Sequence, residues 1–243
     1  MSRLPTIEEL VAALERSALP SLITEGKTDY KLMREFALRS GADCVPAGNK
    51  AGVLQLIQNE RISSLSKIAF LVDRDLWLFE GVPDIYNGDR RAIITNGYSI
   101  ENDLLRDARV EDFLNVDERS RYLDDIESVS SWFAAGVEER RRNPAYEFEN
   151  RISKILNQND ATLTEEAQNF VDSVAPSPDL IREIKDDYCH LLRGKTWAGV
   201  LNRHLCANGR EVHHPPMTLM DVGLRSGREH SANLLNGARE LLS

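Results

Sequence analysis

The run Lys67-Ile68-Ala69-Phe70-Leu71-Val72 is almost wholly apolar and stops abruptly at Asp73-Arg74-Asp75. A strand that shows no polar alternation suits the middle of a parallel sheet, where helices cover both faces. The flanking sequence fits that arrangement. Ser21 to Thr24 is a short apolar run, and Asp29 to Arg39 follows as a helix with Tyr30, Met33 and Phe36 on one side. Ala42 to Pro46 reads as a second strand, Val53, Leu54, Ile57 and Ile62 mark another helix, and Arg91 to Thr95 repeats the strand pattern. Strands alternating with helices make an α/β chain with a doubly wound parallel sheet, whose ligands gather at the carboxyl ends of the strands.

Ahead of this region, Thr6-Ile7-Glu8-Glu9 has the form of a capping box that opens an amphipathic helix. Beyond about Asn102 the signals turn helical, over Val116 to Arg142, Ala145 to Gln158, Glu165 to Val174 and Pro178 to Leu192, with Pro144 and Pro176-Ser177-Pro178 as punctuation. The expected division is an α/β catalytic domain over residues 1–105. Residues 106–243 are expected to form a mainly helical region that completes the core and offers nucleic-acid and partner surfaces.

The acidic residues sit at strand ends. Glu25 precedes Gly26, which is expected to allow a tight exit turn, and Asp29 lies one helical turn on. In extended backbone Asp73 and Asp75 project from one face while Arg74 points away. Carboxylates crowded at the end of an apolar strand repel one another unless a cation or protons intervene, and hard oxygen donors favour Mg2+ or Mn2+. A metal site built from Glu25, Asp29, Asp73 and Asp75 is therefore expected. The formal charge of −9 repels nucleic acid unless cations or a local basic patch offset it.

Leu22-Ile23-Thr24-Glu25-Gly26-Lys27-Thr28-Asp29 followed by Phe70-Leu71-Val72-Asp73-Arg74-Asp75 resembles the two signature motifs of the Toprim domain in OLD-family nucleases. Gly97-Tyr98-Ser99-Ile100-Glu101-Asn102-Asp103-Leu104-Leu105 resembles a segment of a narrower Toprim-like family, which includes the nuclease effector of PARIS-type anti-phage systems. Leu192-Arg193-Gly194-Lys195 is similar to that family's C-terminal G-K element.

The resemblance implies a Toprim-type sheet, with one metal on Glu25 and Asp29, another on Asp73 and Asp75, and Glu101 as an added ligand or orienting group. It implies a Mg2+- or Mn2+-dependent endonuclease, a toxic effector that cleaves cellular RNA, tRNA in particular, rather than DNA. An ABC-type ATPase is its implied partner. After Asp75 the chain departs from some OLD nucleases, because Leu76-Trp77-Leu78-Phe79 precedes Glu80 where a closer acidic ligand would stand.

For hydrolysis, Glu25 is the expected general base, and Lys195 or Lys50 the cation that balances developing phosphate charge. Lys50 lies in Gly48-Asn49-Lys50-Ala51-Gly52, which opens a helix. An unrestrained cellular nuclease endangers its host, so the chain is expected to be held inactive by the ATPase and to form a homodimer when released. The competing class is a non-catalytic Toprim-fold subunit of the ATPase complex.

Other features carry less. Gly194-Lys195-Thr196 lacks the first glycine of a nucleotide-binding loop, since Cys189 stands there. The five histidines and three cysteines fit no compact zinc spacing, and the cysteines read as reduced thiols. From Tyr188 to Ser243 arginine and lysine outnumber acids, a candidate contact surface for nucleic acid. With neither a signal-peptide pattern at Met1 to Pro5 nor a run of ~20 apolar residues, a cytoplasmic protein without a membrane span is expected.

Overall fold

The computed structural model describes residues 5–149 and 151–243. In chain order the elements are α1 (Ile7–Arg16), β1 (Ser21–Thr24), α2 (Lys27–Arg39), β2 (Asp43–Pro46), α3 (Lys50–Ile57), α4 (Glu60–Ser63), β3 (Ile68–Val72), α5 (Trp77–Glu80), α6 (Asp84–Asn87) and β4 (Ala92–Ile94). They continue as α7 (Ile100–Asp107), a 3-10 turn at Val110–Phe113, α8 (Val116–Arg142), α9 (Ile152–Ile155), α10 (Glu165–Val174), α11 (Pro178–Asp186), α12 (Tyr188–Leu191), α13 (Gly194–Leu205), α14 (Pro216–Ser226) and α15 (Glu229–Leu242). The chain divides into two compact units, Met1–Ile100 with Gly227–Ser243, and Glu101–Ser226.

The first unit is α/β. Its four strands are all parallel, in the order β2-β1-β3-β4, and β1 and β3 are buried along their whole length. Period-two alternation assigns the two faces. Ile23, Phe70, Val72, Val45, Ala92 and Ile94 join Val11, Leu14, Val53, Leu56 and Ile62 of α1, α3 and α4 in one apolar cluster. The opposite face meets α2 and α15, and a Cβ on Gly237 of α15 would lie 3.6 Å from Ile93. Each fully buried Leu or Ile contributes about 1.5–3 kcal/mol relative to exposure, so a sheet clad on both sides is the stable form of these apolar runs.

The order β2-β1-β3-β4 places the topological switch between β1 and β3. The chain leaves β1 through α2 toward one edge, then returns through α3 and α4 to the other side of β1. A crevice therefore opens outside the carboxyl ends of those two strands, where Glu25 and Asp73 follow directly.

The second unit is helical. The 27-residue α8 packs against α10, α11 and α13, and Trp197 Nε1 donates to Tyr122 Oη at 2.7 Å in its core. On α14, Gly223 lies against the backbone of α7, where a Cβ would sit 1.9 Å from Leu104 O.

Three expectations change. The helix expected over Ala145 to Gln158 is reduced to α9. Residues 145–149 run without helix and lay Phe148 against Trp132 and Phe133 of α8 and over Gly136, with Tyr146 packed on Phe148. Aromatic packing on a facing helix outweighs local helical periodicity there. The last helix, placed by sequence with residues 106–243, belongs instead to the sheet unit, whose second face it covers. Gly26 has φ −134° and ψ −176°, ordinary extended backbone, so the exit from β1 does not depend on glycine.

Among the described residues, no helix is long and apolar enough to cross a membrane.

Candidate functional site

The site is assembled by the switch point. Glu25 follows β1 and Asp73 follows β3, and these strands are paired in register, Thr24 opposite Leu71. Glu25 Oε1 accepts the Asp73 backbone N–H at 2.9 Å, which joins the two strand ends through a side chain. Asp73 Oδ1 in turn accepts the Ile100 N–H at 2.9 Å.

Asp75 does not continue the strand. Its φ is +50°, in the left-handed region that Asp tolerates better than most residues, and its N–H donates to Tyr98 O at 2.6 Å. The same-face arrangement expected from extended Asp73-Arg74-Asp75 is therefore replaced by a turn. Arg74 N–H donates to Thr95 Oγ1 at 2.9 Å, and Thr95 Oγ1 donates to Gly97 O at 3.0 Å, so the segment after β4 clamps this turn from behind.

Lys50 enters the same place. Asn49 caps α3 by accepting from Gly52 N–H at 2.9 Å, and Gly48 makes the preceding turn at φ +102°. Gly52 is required sterically, because a Cβ there would lie 2.5 Å from Ala47 O. This local fold puts Lys50 Nζ 2.7 Å from Asp75 Oδ2 and 4.0 Å from Glu25 Oε1. The Trp77 ring lies 3.8 Å from the ammonium, and Tyr86 packs on Trp77 at 4.6 Å between centroids while its hydroxyl donates to Lys50 O at 3.5 Å.

Electrostatics follow from burial. The Glu25 side chain is 13% exposed, and its carboxyl is pushed up to about 8, first by burial, then by the charges of Asp75 and Asp29 against the opposing pull of Lys50 and the Asp73 N–H. Tyr86 is pushed up to about 12 by burial and by Glu25. Two carboxyl groups, Glu25 and Asp75, thus meet one ammonium, and Asp73 is tied to Glu25 through its backbone N–H. The donor set is all oxygen and its charge deficit is what a divalent cation would relieve, so the residues fit Mg2+ or Mn2+. As they stand, no three His, Cys, Asp or Glu side chains among the described residues are grouped to hold an ion, and Lys50 supplies the positive charge.

Of the remaining candidates only Asp29 lies beside the site, where its charge acts on Glu25. Asp29 is buried, and its Oδ2 accepts from Gly26 N–H at 2.8 Å, so it caps the start of α2. Glu101 is buried in the first turn of α7 and belongs to the second unit, as does Lys195, which is exposed at the second position of α13. The structure brings Glu25, Asp73, Asp75 and Lys50 together. Sequence reasoning missed Trp77 and Tyr86 as the walls of the lysine. A lone Trp two residues after an acidic turn was the only local signal.

Set against known protein families and curated proteins, the chain matches no family model and no curated sequence.

Proposed function

We propose that this centre belongs to a Mg2+- or Mn2+-dependent phosphodiester hydrolase, a Toprim-type endonuclease. The observation that carries the reading is the Glu25–Asp73 hydrogen bond at the switch point, which sets two acidic strand ends side by side in a partly buried crevice. When bound, the cation neutralises phosphodiester charge and makes a water molecule more acidic.

The chain's own groups have distinct roles. Glu25, Asp73 and Asp75 would hold the cation, and Asp73 is oriented by the Ile100 N–H. Glu25 has a carboxyl that changes protonation near neutral pH, as a general base at this centre requires. Lys50, which stands beside Asp75 and Glu25, would balance phosphate charge. Asp29 fixes the first turn of α2 beside Glu25, and Glu101 and Lys195 remain candidates supported by the motif resemblance alone. That resemblance also supports cellular RNA, tRNA foremost, as substrate, an ABC-type ATPase as restraining partner, homodimer formation on release, a role in anti-phage defence and a cytoplasmic location.

A second reading has its own observation in favour. Lys50 already neutralises Asp75, as in a vestigial site that serves only as a docking subunit. Calorimetry with Mn2+ on wild type and Asp73→Ala, paired with cleavage assays on wild type and Glu25→Ala, separates the two. Saturable Mn2+ binding lost in Asp73→Ala and cleavage lost in Glu25→Ala are expected of the hydrolase. An undiminished Glu25→Ala nuclease would remove this assignment, and a chain that binds no Mn2+ and cuts nothing would leave the docking subunit.

A further inference from the structure

In the helical unit, α8 and α13 bring a buried carboxylate together with two basic side chains. Asp125 is 1% exposed, and its Oδ2 lies 2.8 Å from His204 Nε2 and 3.0 Å from Arg203 Nε. A carboxylate only accepts, so the hydrogen of the first bond sits on His204 Nε2. In the neutral ring this leaves the Nδ1 lone pair unused. His204 is 8% exposed and Nδ1 has no hydrogen-bond partner among the described residues, yet it is not one of their polar atoms sealed from solvent. It opens into a cavity of about 280 Å3 that His204 lines.

One wall of this cavity is held by the same cluster. Arg203 reaches past Asp125, its Nη1 and Nη2 donating to Asn157 O and Asp160 O, the latter at 2.6 Å, and Ser128 Oγ of α8 donates to Ala161 O. The loop is also closed on itself, by Asn157 N–H to Thr162 O at 2.9 Å and by Asp160 Oδ1, which accepts Thr162 N–H at 2.9 Å. It carries Gln158 and Asn159 along the wall, and their amides have no hydrogen bond with a described residue.

The charges left over define what fits. Among the lining carboxyl groups, Asp125 is matched by Arg203, and Glu118 by Arg210 at 2.9 Å. Asp124 and Asp160, exposed at the rim, have no ion pair with a described residue, and neither has Arg121, although it lies one turn before Asp124 on α8. With His204 neutral, two carboxylates face one guanidinium. The other unused groups are an imidazole nitrogen and two amides, so a ligand that answers them is positively charged and carries several N–H donors. The volume equals the liquid share of about nine waters, which suits a ligand of about that many heavy atoms.

We propose that this cavity binds a small organic ammonium ion, a polyamine or a basic amino acid. His204 Nδ1 accepts one of its N–H bonds at the floor, while Asp124 and Asp160 meet its charge at the rim. The two sources share ammonium groups on a short methylene chain and differ in the carboxylate, which Arg121 would meet. An inorganic cation suits the cavity less, because no three His, Cys, Asp or Glu side chains among the described residues are grouped to hold one. The site stands independently of the hydrolase reading.

The test is calorimetric titration of the intact chain with spermidine and with L-lysine, in about 150 mM NaCl, where attraction to the net charge of −9 is screened beyond about 8 Å. Tetramethylammonium, a cation without N–H donors, is the control. Saturable binding of one spermidine or one lysine per chain is expected, with none of tetramethylammonium. His204→Gln keeps a donor for Asp125 but removes the Nδ1 acceptor, and should weaken binding by about tenfold. Asp124→Asn should weaken it by about fivefold, whereas Glu165→Gln, the same loss of charge on an exposed residue outside the cavity, should leave it unchanged. The tighter of the two ligands assigns the source, and Arg121→Met should weaken lysine binding alone.

Thermal unfolding of each variant identifies any that has lost its fold. Should His204→Gln do so, Asp124→Asn, at an exposed and unpaired side chain, still decides. Failure of both ligands to saturate would overturn the site. So would tetramethylammonium binding as tightly, or a folded Asp124→Asn protein no weaker in binding than Glu165→Gln.

Discussion

The backbone N–H of Asp73 donates to Glu25 Oε1 across 2.9 Å, so the end of β3 is tied to the end of β1 by the side chain assigned to the chemistry. Its other consequence is electrostatic. The bond favours the Glu25 carboxylate, yet burial outweighs it and the group is pushed up from 4.5 to about 8.

This shift has a definite sign. The folded chain holds a proton on Glu25 that the unfolded chain has released between pH 4.5 and about 8, so stability of the metal-free protein falls as pH rises through that window. The fall is on the order of a few kcal/mol, and Glu25→Gln should remove most of it in urea unfolding at pH 5 and pH 8. On the proposed hydrolase reading, a divalent cation would displace the same proton. Mn2+ affinity should rise by up to about tenfold per pH unit below that value and level off above it, with proton release at pH 7 seen by calorimetry in buffers of different ionisation enthalpy.

Two glycines at the site should respond oppositely. Gly52→Ala forces a Cβ against the Ala47 carbonyl at 2.5 Å, with backbone on both sides of the clash. It should cost about 1–3 kcal/mol and displace Lys50, read as a lower melting temperature and altered Mn2+ affinity. Gly26→Ala meets only Asp29 Oδ2 at 3.7 Å in extended backbone and should leave melting within about 0.5 kcal/mol of wild type.

In the second unit, Arg210 Nε donates to Glu118 Oε1 at 2.9 Å, and Glu118 Oε2 accepts from Asn115 N–H at 2.9 Å. Arg210 foremost, with the Asn115 N–H, holds the Glu118 carboxyl below its usual 4.5. A depressed carboxyl adds stability that is complete above its unfolded value and lost as pH falls through the folded one. Arg210→Ala should destabilise by about 3 kcal/mol and shrink this acid-side loss, checked by denaturation at pH 7 and pH 3.5.

Gly136→Ala would place a Cβ 2.4 Å from the Phe148 ring, which fills the space a side chain would take on α8. The ring must swing away from Trp132 and Phe133, at a cost of about 1–3 kcal/mol. Differential hydrogen exchange should show loss of protection confined to α8 and the segment around Phe148.

The succession of strands and helices in the first hundred residues was legible because its signals are local. The apolar run of β3 and the acidic residues that end β1 and β3 are each written in a few adjacent positions, and α8 appears over the range its periodicity marks. From these the α/β class and the placement of Glu25 and Asp73 at strand ends follow. What tertiary structure alone decided are the relations between distant segments. Asp75 turns left-handed because Tyr98 O captures its N–H, Lys50 reaches Asp75 because Gly52 fits under Ala47, and α15 returns to cover the sheet because the face bearing Ile93 must be buried. No period or spacing encodes these. Apart from the local Gly52–Ala47 contact, they arise from hydrogen bonds and packing between residues 23 to 144 positions apart, whose energies exist only once the chain has closed on itself.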